Sequence, residues 1–220
     1  LNGNMATHIS KIDIARGIVS IGKTHWNQYL TSPTRSLIDF LHYWTGLVPF
    51  LNERPDLSLT TDFASLDMTD KGQKSYLIGM GMARIAAERI LGIPYLQHVD
   101  SLIAKGIITV ASGSNERGDL VGLDRNLNWH VIEAKGRSNP PSAEDKRKAK
   151  KQAEKISSIA GKAPETKSYC ITHIDQISCE VHLKDPDDAP AARPDLGVNS
   201  NSFIKEYYDK IFRHFYNKKE

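Results

Sequence analysis

The sequence predicts an α/β fold on three observations. A long helical stretch over about residues 67 to 91 is followed by a series of short, β-branched apolar runs. A lysine-rich helical stretch comes next, and two further apolar runs with strand character follow it. Periods of 3.6 and 2 residues thus alternate through the middle of the chain, as expected where helices flank a sheet.

At 220 residues the chain can bury one substantial core, or a core with a helical appendage. Its composition, 40% hydrophobic and 25% charged, is that of an ordinary globular protein and excludes a disordered or disulfide-dense class. No apolar run approaches the ~18 to 20 residues that span a bilayer, so no membrane partner is expected. Leu1-Asn2-Gly3-Asn4 ahead of Met5 lacks the charged-then-apolar order of a signal peptide, and the expectation is a cytoplasmic protein. Cys170 and Cys179 lie in strand-like runs that a hairpin near Ile174-Asp175 would place opposite each other. Two cysteines without a Cys-x-x-Cys pair give no zinc site and read as free thiols of a reducing compartment, a disulfide being the alternative.

Residues 1–66 read as a helical N-terminal region packed on the core. Within it Ser36 to Trp44 has helical spacing, with Gly46 and Pro49 as the stop. Thr69 or Asp70 is placed to cap a helix running to about Leu91, ended by Gly92 and Pro94. That helix is apolar almost all round, so burial is expected, with Arg84, Glu88 and Arg89 as the interruptions. Tyr95 to Lys105 reads as a short helix closed by Gly106, and Ile107 to Ala111 as a strand. After the turn Ser112-Gly113-Ser114-Asn115, two more strands follow: Leu120 to Leu123, bracketed by Asp119 and Asp124, and Trp129 to Lys135. Asn139-Pro140-Pro141-Ser142 breaks the sheet, and Ser142 with Asp145 has capping-box spacing. The helix that follows carries Ala149, Ala153, Ile156 and Ala160 on one stripe and ends at Gly161 and Pro164. Ser168 to Ile174 and Ile177 to Leu183 complete a core of residues 67–184. Residues 185–220 comprise a proline- and acid-rich connector and an amphipathic C-terminal helix whose aromatic stripe, Phe203 to Tyr216, suits docking on the core or a partner.

The chemistry concentrates on two neighbouring strands. Alternation puts Glu133 and Lys135 on one face and Ala134 on the other. Were the strands paired, Asp119 could meet Glu133 at one end of the sheet, and two carboxylates beside an ammonium suit a divalent cation. Asp124 is the rival acid, but it falls on the opposite face of its strand and at the turn. Net charge is only +3, yet Lys135, Arg137, Lys146, Arg147, Lys148, Lys150, Lys151 and Lys155 cluster beside these acids, where a phosphate backbone would lie. A solvated helix face is the alternative for that run.

On Asp119, Glu133 and Lys135, with the apolar strands around them, the chain resembles the PD-(D/E)XK nuclease superfamily over about residues 67 to 184. Gly118 stands where that family often has proline. The resemblance implies a restriction-endonuclease-like αβββαβ core with a mixed central sheet, and a Mg²⁺-dependent DNA endonuclease in which Mn²⁺ could substitute. It implies Asp119, Glu133 and the backbone carbonyl of Ala134 as ligands. Lys135 would then orient or deprotonate the attacking water or stabilise developing charge; an ordinary lysine, with a pKa of ~10.4, favours charge stabilisation. It further implies Gln152, on the inner edge of the basic helix, as a site residue, the alternative being a boundary residue with a satisfied amide; Lys148 and Lys155 on the same flank, and Arg137, are then placed to touch phosphate. Glu88 would join the metal shell, the alternative being an i, i+4 pair with Arg84. His98, His130 and His173 lack ligand spacing and read as structural. A homodimer, a non-cleaving nucleic-acid-binding relative, and a toxin or interaction module held by an inhibitor protein are the alternatives left open.

Overall fold

The computed structural model describes residues 8–21, 33–53, 56–104, 106–110 and 117–184. The connector and C-terminal helix expected over residues 185–220 lie outside the described residues.

The described part of the N-terminal region contains α1 (Lys11–Ser20), α2 (Pro33–Leu47), a 3₁₀ turn, the short antiparallel strands β1 (Leu51–Asn52) and β2 (Ser58–Leu59), and α3 (Thr61–Ser65). It packs on the long helix α4 (Met68–Arg89). Ile14 and Ile18 of α1, with Leu47 and Phe63, share a cluster with Ile78, Met82 and Ile174. This region therefore contributes to the core. The expected helical character holds for α1 and α2.

Helix α4 begins two residues earlier than expected, because Asp67 caps it by accepting from the N–H groups of Thr69 (2.7 Å) and Asp70 (3.0 Å). Every residue from Ile78 to Ala87 is buried, Arg84 included, as its all-round apolar character requires. After it come β3 (Tyr95–His98), α5 (Val99–Ile103), β4 (Ile108–Val110), β5 (Leu120–Leu123), β6 (Trp129–Arg137), α6 (Ala143–Glu154), β7 (Ile156–Ile159), β8 (Thr166–Ile174) and β9 (Cys179–Lys184). The main sheet is mixed and five-stranded, in the order β3-β5-β6-β8-β9. Only β6 and β8 run parallel, with α6 in the connection between them.

Four expectations are corrected here. Tyr95 to Lys105 is not one helix: its first four residues form β3, held by pairing with β5, and only Val99–Ile103 is helical. The run at Ile107 to Ala111 does form a strand, but β4 pairs with β7 in a separate two-stranded ribbon, so β3 takes its expected place beside β5. The basic helix stops at Glu154, and Ile156, expected on its stripe, begins β7 instead; β-branched Ile156 and Ile159 are fully buried there, which a strand facing the core achieves as readily as a helix would. The two cysteines are free, and Cys170 pairs with Leu183 while Cys179 pairs with Ile174, so the hairpin does not set them opposite each other.

Strand alternation divides the core. On one face Leu120, Ile132, Ala134 and Cys170 meet Met80, Ala83, Ala86 and Ala87 of α4. On the other, Val121, Leu123, Trp129 and Val131 meet Ala153 of α6 and Ile156, while Tyr169 and Ile171 meet Ala149. Helix and strand touch backbone to backbone at Gly79 and Gly136: a Cβ on Gly79 would stand 2.4 Å from the Gly136 nitrogen, and one on Gly136 would stand 1.7 Å from the Ser75 carbonyl oxygen. Both positions therefore require glycine. No described helix is long and apolar enough to cross a membrane.

Candidate active site

Strands β5 and β6 pair with Leu120 opposite Ile132. One step beyond the end of β5, Asp119 therefore comes level with Glu133, on the face shared by Glu133 and Lys135. The carboxylate of Asp119 is fixed there by an N–H: Ala134 donates to its Oδ2 at 3.0 Å. The N–H and C=O of one strand residue point to the same flank, so the Ala134 carbonyl also turns toward Asp119. Gly118 makes this approach close, since a Cβ there would lie 2.8 Å from Val131 Cγ1 and 3.5 Å from the Cα of Ala153. The small residue where the resemblance expects proline thus has a packing reason.

Glu133 is 1% exposed. Its Oε1 accepts from Lys135 Nζ at 2.5 Å, while Oε2 is buried and has no hydrogen-bond donor. Burial, together with the nearby charge of Asp119, pushes the Glu133 carboxyl up to about 8, against the pull of Lys135. Burial also raises Asp119, against the Ala134 N–H and Lys135. A buried carboxyl beside a half-buried one cannot ionise cheaply while its neighbour is charged. A shared proton is one remedy, and a divalent cation is the other, because it would supply the missing partner of Oε2 and cancel the repulsion. Among the described residues no three His, Cys, Asp or Glu side chains form a cage. A hard ion that retains several waters needs only one or two carboxylates, so the donor set of Asp119, Glu133 and the Ala134 carbonyl fits Mg²⁺ better than a fully protein-ligated ion.

Of the other residues expected here, some are drawn in and some are not. Helix α6 runs antiparallel to β6, with Asp145 level with Arg137, Ala149 against Tyr169 and Ile171, and Ala153 against Val131. Lys150 donates to the Lys167 carbonyl of β8 at 3.1 Å, so its flank of the helix turns toward β8. Gln152 and Lys148 occupy the opposite flank, the one toward Asp119. Gln152 is half-buried. Lys148 is exposed and stands 4.0 Å from Glu144. Lys155 is the C-cap residue of α6. Arg137, next but one after Lys135, is tied to Asp145 at 2.6 Å; Asp145 also closes the capping box with Ser142, and the hydrogen bonds it accepts from Ser142, then the charge of Arg137, hold that acid below its usual range.

Glu88 is not brought in. It pairs with Arg84 at 3.0 Å, half exposed, and lies nine residues beyond Gly79, the point where α4 touches β6. That is about 13 Å along the helix axis. Asp124 is used by its own turn: its Oδ1 accepts from the N–H groups of Asn126 and Asn128, both at 2.8 Å, and its Oδ2 from Asn128 Nδ2 at 3.1 Å. His130 holds Thr166 Oγ1 at 2.8 Å, consistent with a structural role.

Two features of the site escaped the sequence reading. Tyr76, on the turn of α4 that touches β6 and about half exposed, has its hydroxyl pKa raised by partial burial and then by the charges of Asp119, Asp100 and Glu133. Asp100 is brought near because Val99 N–H donates to the Asp119 carbonyl (3.0 Å), and it is paired with Arg117. Neither residue carries a motif; only the register of β3 with β5 and the path of α4 put them there. Comparison with protein-family models, curated proteins and solved structures finds no match to this chain.

Proposed function

We propose that this protein is a divalent-metal-dependent nuclease that hydrolyses phosphodiester bonds, with DNA as its substrate and Mg²⁺, or Mn²⁺ in its place, as its cofactor. The observation that carries the proposal is the pair of half-buried Asp119 and buried Glu133, in which Glu133 Oε2 lacks a donor while an ammonium lies 2.5 Å from Oε1. A pair like that is costly to bury as structure alone, and it suits a cation. The order of α4, β3, β5, β6, α6 and β8, with three antiparallel neighbours followed by a parallel strand, also supports a restriction-endonuclease-like core.

A bound Mg²⁺ would lower the pKa of a water and neutralise charge on the phosphate. The residues divide the remaining work. Asp119, oriented by the Ala134 N–H, and Glu133, in the middle of β6, would hold the cation. Lys135, a third exposed, can swing from Glu133 Oε1 to a phosphate oxygen and stabilise the charge that develops there. Gln152 and Lys148 line the approach from α6, and Arg137 and Lys155 extend the positive surface along which a backbone would lie.

Incubation with plasmid DNA in Mg²⁺ or EDTA, with Glu133→Ala and Lys135→Ala alongside, tests the proposal. Nicking that needs the metal and disappears in both variants is the expected result. Cleavage retained by Glu133→Ala would remove the site from the reaction. DNA binding without cleavage would leave a non-cleaving relative as the better reading.

A further inference from the structure

Helix α4 turns one stripe to the sheet, and the first member of that stripe lies where the sheet is open. Met80, Ala83 and Ala87 recur at helical spacing and pack against Leu120, Ile132 and Ala134 of β5 and β6. Tyr76 sits one turn earlier on the same stripe. Met80 is 2% exposed, whereas Tyr76 is 47% exposed. The difference follows from where β5 starts. Its first residue, Leu120, pairs with Ile132, so β6 runs on from Glu133 to Arg137 with no residue of β5 paired to it. Tyr76 stands at the α4 side of the slot this leaves.

Asp119 reaches the same slot from within the sheet. Strand N–H groups point toward the neighbouring strand, in the plane of the sheet. The Asp119 oxygen held by the Ala134 N–H at 3.0 Å therefore lies in that plane, in the place a longer β5 would fill. The carboxylate is thus open to both faces: Glu133 and Lys135 approach it from the α6 side, and Tyr76 from the α4 side. The electrostatics agree with this placement. Partial burial raises the Tyr76 hydroxyl pKa, and the charge of Asp119 adds to it ahead of those of Asp100 and Glu133. The phenol keeps its proton at neutral pH and is a donor, not a base.

With the carboxylate oxygens spent on a cation, the hydroxyl is left facing the phosphate drawn in beside them. A neutral donor on a phosphate oxygen stabilises the charge that builds there without competing for the metal. We infer that Tyr76 is a catalytic residue whose hydroxyl donates to a non-bridging oxygen of the scissile phosphate from the α4 side, while Lys135 engages that phosphate from the α6 side. The inference rests on the nuclease reading.

Tyr76→Phe removes the hydroxyl and keeps the ring. Cleavage of a DNA oligonucleotide at a mapped position is compared under Mg²⁺ with cleavage of its two phosphorothioate diastereomers at that position. Tyr76→Phe should lower kcat/KM for the all-oxygen substrate roughly 10- to 100-fold, with the melting temperature unchanged and Mg²⁺ affinity by calorimetry within about twofold of native. In one diastereomer sulfur replaces the oxygen that takes the hydrogen bond. On that substrate the variant and the native protein should differ by less than about threefold, because the contact is already lost. A fluorine NMR resonance from fluorotyrosine incorporated in place of Tyr76 should shift when the oligonucleotide binds. Cleavage by Tyr76→Phe within about twofold of native, an equal loss on all three substrates, weakened Mg²⁺ binding, or an unmoved fluorine resonance each overturns the inference and leaves the nuclease reading intact. Native protein that does not cleave DNA under Mg²⁺ overturns the nuclease reading, and this inference with it.

Discussion

Asp119 and Asp124 lie at opposite ends of the four-residue strand β5, yet only Asp124 is spent on the turn beside it. Asp124 accepts three hydrogen bonds from the turn it begins and stands 3.5 Å from His130 Nε2. Asp119 accepts one backbone N–H and otherwise faces a second buried carboxyl. An acid that serves the fold is satisfied by it, whereas an acid left beside another at the end of a strand requires something the chain does not supply. The sequence alone offers both as candidates; their surroundings separate them.

The largest expected effect is on metal affinity. Calorimetric titration with Mg²⁺ or Mn²⁺ should show binding weakened roughly 100-fold or more by Asp119→Asn or Glu133→Gln and unchanged by Asp124→Asn. Equal weakening by Asp124→Asn would break the distinction between the two ends of β5.

A second expectation concerns pH in the absence of metal. Glu133, held at about 8 in the folded chain against an ordinary value near 4.5, keeps its proton over a range in which the unfolded chain has lost it. Folding then takes up a proton, so this contribution is complete below about pH 4.5 and is lost as pH rises toward 8. The raised carboxyl of Asp119 acts in the same direction. Denaturant melts of the metal-free protein should lose a few kcal/mol between pH 5 and 8, and Glu133→Gln should flatten that slope. Stability that rises over the same interval would contradict the buried pair.

Smaller effects sharpen the comparison from the other side. Asp124→Ala should cost about 2 kcal/mol by removing the acceptor of a three-bond turn, while metal binding stays intact. Thermal and denaturant melts beside the calorimetry would check both halves of that statement. Glu88→Gln should change stability by less than about 0.5 kcal/mol and leave metal affinity alone, because it removes only a half-exposed pair within one helix.

What could be read in the sequence follows from how local each signal is. The capping box at Ser142 and Asp145, the buried helix α4 and the facing of Glu133 with Lys135 all rest on spacing within a few residues, and all are present. Tyr95–His98 reads locally as helix because its strand character comes from pairing with β5, more than twenty residues away in the chain. The end of α6 is not legible locally, because a short apolar run fits either period. Within the site, the level pairing of Asp119 with Glu133 was legible from two acids on two apolar runs. The loss of Glu88 and the arrival of Tyr76 were not, since both depend on where α4 crosses β6, and that crossing is set by the backbone contact at Gly79 and Gly136.

Plasmid cleavage by Asp119→Asn and Asp124→Asn in Mg²⁺, both confirmed to be folded, bears most directly on the claim that the acid at the start of β5 belongs to a metal centre and the acid at its end to a turn. Cleavage should be abolished in the first and close to native in the second. Native cleavage by Asp119→Asn would contradict it.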